Sequence, residues 1–144
     1  MKKHLNLGLI TLAMLFFVGN ITAQTDESVI KTNLADLFHN SKAKLFDKAA
    51  EQIVYEGEDK ARDQKDSFNP ANKEEVNQVK RICKKISALI ELSSKYDFGP
   101  VISKQVDGKD VYTIDVSFIS GDQKLVTGFT FLKTQKGFLL SNMN

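Results

Sequence analysis

The chain contains no tryptophan, two prolines, two histidines and a single cysteine, Cys83. One cysteine excludes an intramolecular disulfide, so a domain of this length must be held together by its apolar core. His4 lies in the short basic start, which leaves His39 as the only histidine of the remaining chain. One imidazole and one thiol, distant in sequence, cannot assemble the usual structural zinc sets. A Ser-His-Asp or Cys-His catalytic pair would have to run through His39 alone. Arginine is limited to Arg62 and Arg81, so bidentate phosphate recognition has few donors. The formal charge of +2 is accounted for by Lys2 and Lys3, and residues 24–144 are formally neutral. That balance argues against a nucleic-acid partner, whose phosphates call for a clustered basic excess.

What is present begins with Met1-Lys2-Lys3-His4, followed by an apolar stretch from Leu5 to Val18 and the small residue Ala23 before Gln24. This is the charged, apolar, small-residue order of a secretory signal peptide. The apolar stretch falls short of the ~20 residues of a bilayer span, so no stable membrane anchor is expected. No cysteine near the cut could carry a lipid. The expected organisation is a signal peptide over 1–23 and a single domain over 24–144, delivered to the periplasm or secreted.

Ile30, Leu34, Leu37 and Phe38 form one stripe of a helix over about Glu27 to His39, with Asn40-Ser41 as its break. Phe46, Ala49, Ala50 and Ile53 mark a second helix over about Lys42 to Ile53. Val54-Tyr55 reads as a short extended piece before Gly57. Asn72 and Glu75 have the spacing of a capping box. The helix they open carries Val76, Val79, Ile82, Cys83, Ile86, Leu89 and Ile90 on one face and is expected to reach about Lys95, with Gly99-Pro100 as the stop.

Beyond Val101 the period changes to two. Tyr112, Ile114, Val116 and Phe118 alternate with polar residues, as do Phe129 and Phe131. Turn residues at Asp107-Gly108, Ser120-Gly121-Asp122 and Gln135-Lys136-Gly137 divide the region into four strands, about 101–106, 109–119, 124–134 and 137–143. Helices followed by an antiparallel meander define an α+β fold with segregated layers. The long helix is expected to lie across the sheet, burying Ile82, Ile86 and Leu89, with the first two helices closing one end.

The order of two helices, a charged connector, a long helix and a curved meander resembles the cone-shaped cystatin-like, nuclear transport factor two-like superfamily. Within it, Ile53-Val54-Tyr55-Glu56-Gly57-Glu58-Asp59-Lys60-Ala61-Arg62-Asp63, continuing through Lys65-Asp66 to Ile82-Cys83, is similar to small exported proteins of Bacteroidetes-type bacteria. The resemblance implies the fold. It chooses no activity, because the superfamily includes isomerases, dehydratases and binding modules. Its enzymes place Asp, His or Tyr inside the cone, and no such motif carries over to particular residues here.

The densest polar cluster is Tyr55, Glu58, Asp59, Arg62 and Asp63. Calcium would want acids at the spacing of an EF-hand loop, whereas Lys60, Arg62 and Lys65 interrupt these. A solvated face is the simpler reading, with Asp59 brought near Asp63 and Arg62 by helical spacing. His39 is expected to cap a helix C-terminus or to lie at the surface, and Cys83 to be a buried, inert thiol. Tyr55, Tyr96 and Tyr112 read first as core residues with one polar end.

No catalytic residue, cofactor or metal is therefore assigned. The sequence favours an exported binding or accessory module for an unknown small ligand or protein. The alternatives are a cone-pocket enzyme of isomerase, dehydratase or hydrolase type that uses carboxylates or tyrosines, and a homodimer formed through the sheet.

Overall fold

A computed structural model describes the backbone of residues 8–144 and the side chains of residues 25–144. The signal-peptide reading of residues 1–23 lies outside the described side chains. Three helices, α1 (Gly8–Lys42), α2 (Phe46–Ala50) and α3 (Lys73–Glu91), precede four strands, β1 (Lys95–Val106), β2 (Lys109–Ser120), β3 (Gln123–Thr134) and β4 (Gly137–Met143). The strands pair in the order β1-β2-β3-β4, every neighbour antiparallel, so the fold is the expected α+β meander. Asp107 and Gly108 both have positive φ, as a tight hairpin between right-twisted strands requires.

Tyr112, Ile114, Val116 and Phe118 of β2 share one pleat face with Phe129 and Phe131 of β3 and Leu140 of β4, and all of them are buried. Phe38 of α1 lies at the centre of the aromatic packing, with ring centroids 5.9 Å from Phe118, 5.4 Å from Phe129, 5.9 Å from Phe98 and 5.2 Å from Tyr96. Helix α1 therefore takes the central place that the sequence reading gave to the long helix. Helix α3 contributes Val79, Cys83 and Ile86 to the same core, while Ile82 and Leu89, expected to be buried, are only partly so.

Each differing boundary has a local cause. Asn40-Ser41 does not break α1, because both residues point inward, and Asn40 donates to the Gln52 side chain at 2.8 Å. The helix ends instead at Lys42 and is closed by Lys44, whose φ is +60°, with Leu45 N–H bonded to Asn40 O and Lys44 N–H to Ser41 O. This is a Schellman closure with lysine where glycine is usual. His39 stands exposed in the last turn of α1, as expected.

Helix α2 is short because Gln52 to Val54 turn to the sheet. Val54 N–H bonds Leu140 O, and Ile53 makes a parallel bridge to Leu140. Helix α3 stops at Leu92, short of Lys95, and β1 begins before Gly99-Pro100. The proline is tolerated because β1 is an edge strand, and its register with β2 shifts between Phe98 and Val101.

Candidate functional site

Residues 54–68 fold as a compact flap. Val54 bridges Ser67, Tyr55 N–H bonds Asp66 O, Gln64 N–H bonds Tyr55 O, and Phe68 N–H bonds Ile53 O. The Tyr55 ring hangs so closely over Gly57 that a Cβ there would collide with it. At the centre is Arg62. Its guanidinium donates to both Glu75 oxygens at 2.9 and 3.0 Å and to Ser67 O at 2.9 Å, and it lies 4.2 Å from the centroid of Tyr55.

Glu75 also accepts from Asn69 N–H at 2.6 Å. The Arg62 hydrogen bond, with help from Asn69 N–H, holds the Glu75 carboxyl below the usual carboxylate range. Asp66 is held low as well, first by Lys136 Nζ at 2.5 Å and then by Ser67 N–H.

The five residues singled out from sequence thus divide. Tyr55 and Arg62 stack. Asp59 accepts from Ala61 N–H and Asp63 from Gly57 N–H, so both shape the loop. Glu58 is exposed and takes no part in this network. The expected pairing of Arg62 with Asp59 does not form, because Asp59 bonds the loop backbone while Arg62 reaches across to α3. Nor does Glu75 close a capping box: Asn72 caps Glu74 N–H and Glu75 N–H, while the Glu75 carboxylate is committed to Arg62. Glu75, Asp66 and Lys136 complete the network and were missed by the sequence reading. An acidic residue that is buried at a helix N-terminus needs a cationic partner, and Arg62 is one of only two arginines. Arg62 makes three hydrogen bonds, all to protein, and Asp66 pairs with Lys136, so the cluster serves as a clasp that pins the flap to α3 and the β3–β4 turn.

Burial pushes the Cys83 thiol up, and the adjacent Ser41 hydroxyl opposes this only in part. Burial likewise raises Tyr112, whose ring packs edge-on against Phe138 at 5.0 Å. Among the described residues, no group of three or more His, Cys, Asp or Glu is arranged to hold a metal ion, and no helix is long and apolar enough to cross a membrane.

Open space lies at the opposite end of α3. A pocket of about 490 Å³ is lined by Leu89, Leu92 and Ser93 from the end of α3 and by Phe118, Ser120, Gln123, Lys124 and Leu125 from the β2–β3 hairpin. Phe118 forms a buried floor, while Leu92 and Leu125 are 77% and 55% exposed at the mouth. A second depression of similar size, bordered by Asp36, Lys48, Glu51 and Lys136, mixes both charge signs, and its Lys136 is already engaged by Asp66. Comparison with protein-family models, curated proteins and solved structures finds no match to this chain.

Proposed function

We propose that the protein is a small exported binding module of the cystatin-like, nuclear transport factor two-like type, and that it holds its ligand between the end of α3 and the β2–β3 hairpin. The observation that carries this reading is the concave apolar surface formed by Leu89, Leu92, Phe118 and Leu125. Its volume falls within the range of small-molecule sites. Large apolar side chains left uncovered around a cavity favour occupancy over solvation. The polar cluster at Arg62, by contrast, spends its hydrogen bonds on the fold.

An uncharged solvatochromic dye such as Nile red tests the reading. Its emission should rise and shift to the blue with the wild-type protein, and the effect should disappear in Leu125→Asp, an exposed change that the fold accommodates. Equal emission from both proteins, or none from either, overturns the assignment of the site.

A further inference from the structure

Resting on that reading, we infer that the ligand is an uncharged amphiphile: a single apolar body with one neutral hydrogen-bonding head, oriented with the head toward the tip of the β2–β3 hairpin. The register of the hairpin supplies the first observation. Phe118 pairs with Leu125, and two residues further along Ser120 pairs with Gln123. Side chains two apart on a strand share a face, so Ser120 and Gln123 stand side by side on the pleat face that presents Phe118 and Leu125 to the pocket.

The second observation is that neither the Ser120 hydroxyl nor the Gln123 amide is hydrogen-bonded to another described residue. A hydroxyl and an amide offer both donors and acceptors without charge. The pocket is therefore apolar along Leu89, Leu92, Phe118 and Leu125 and hydrogen-bonding at the hairpin tip.

The third observation concerns charge. Lys124 borders the pocket, but it alternates with Gln123 and Leu125, and its strand partner is Ile119, on the opposite pleat face. Asp122 sits in the hairpin turn outside the lining. No ionised side chain thus belongs to the pleat face that carries Phe118 and Leu125, and an ionic head beside the exposed Ser120 and Gln123 would lose part of its hydration without a counter-charge on that face. The concave shape, floored by a buried phenylalanine, suits a small molecule better than the flat surface of a second copy.

Three probes with one chain and different heads test this: 1-decanol, decanoate and decyltrimethylammonium, each titrated below its aggregation threshold into the protein expressed from its full sequence. Binding is followed by amide chemical shifts at Ser120 to Leu125. Decanol should bind at least about tenfold more tightly than either ion, given the penalty on an uncompensated charge. Gln123→Ala should weaken decanol by about threefold to tenfold, the worth of one neutral hydrogen bond, and leave the ions almost unaffected.

Decanoate binding as tightly as decanol, or indifference of decanol to Gln123→Ala, overturns the head-group assignment and leaves the pocket standing. Absence of shifts with all three probes overturns the pocket as well. A dimer in light scattering that Leu125→Asp converts to monomer makes the occupant a second copy and overturns the inference.

Discussion

Arg62→Ala should be among the most damaging single substitutions outside the deep core. The change removes two charge-assisted hydrogen bonds to Glu75, one hydrogen bond to Ser67 O and the stacking on Tyr55. It also leaves the Glu75 carboxylate, whose side chain is 9% exposed, with Asn69 N–H as its remaining partner. Breaking a fully buried ion pair costs about 3–5 kcal/mol, most of it from stranding the survivor. Here the Arg62 side chain is 26% exposed and the pair sits close to the surface, so water replaces part of what is lost. A loss of about 2–3 kcal/mol is expected.

Urea unfolding of Arg62→Ala, Glu75→Gln and the double variant gives the coupling directly, and it should be at least about 1 kcal/mol. Arg62→Lys keeps the charge but not the planar fork, and should recover less than half of the loss. A loss in Arg62→Ala below about 0.5 kcal/mol, the range of surface substitutions, would refute the clasp.

Stability should also depend on acid through the same groups. Glu75 and Asp66 are both held below their ordinary values in the folded protein, so each contributes stability that is complete above its unfolded value near pH 4 and is lost as pH falls through the folded one. Unfolding free energy should be flat from pH 7 to about 5 and decline below about 4, less steeply in Glu75→Gln; identical slopes in both proteins would contradict this. Lys44→Gly should raise stability by about 0.5–1 kcal/mol in urea unfolding, because glycine reaches the left-handed conformation without the Cβ penalty. Ile86→Ala should cost about 2–5 kcal/mol, since the side chain is fully buried in the core shared with the sheet.

The strands were legible nearly to the residue because each turn carries its own chemistry and each strand its own alternation. The edge strand β1 was the exception. Its inner face is partly exposed and its outer face largely so, which blurs the period-two signal, and Gly99-Pro100 looked like a stop when it only shifts the register. Helix ends were misread where tertiary partners overrode local preference: Asn40 and Ser41 are ordinary break residues, but here they are buried against neighbouring elements. Phe38 was visible as part of a helical stripe. Its place at the centre of four aromatic rings depends on how α1 crosses the sheet, which no local pattern encodes.

At the candidate site, the cluster of Tyr55, Asp59, Arg62 and Asp63 was seen, but the partner that gives it meaning, Glu75, was assigned to helix capping. The two roles share one spacing, and only the fold brings Arg62 to the same carboxylate. The pocket was not legible at all. Leu89 and Leu92 belong to α3 and Phe118 and Leu125 to the hairpin, and either set alone is ordinary apolar patterning.

The clasp and the pocket lie at opposite ends of one helix, and that separation is itself open to measurement. Glu75 is in the first turn of α3 and Leu89 near its end, ~21 Å apart along the axis at the α-helical rise. Between them Val79, Cys83 and Ile86 are locked into the core. Loosening the flap at Arg62 frees residues 54–68 and the N-terminal turn of α3, but it leaves the packing of Phe118 against Phe38 in place. Sites this far apart with no shared partner act additively. Arg62→Ala, held well below its unfolding transition, should therefore bind the uncharged dye as the wild type does, while Leu125→Asp should lose the dye with little change in urea midpoint. A matching loss of dye binding in folded Arg62→Ala would mean that the flap belongs to the binding surface, and the polar cluster would then return as part of the site.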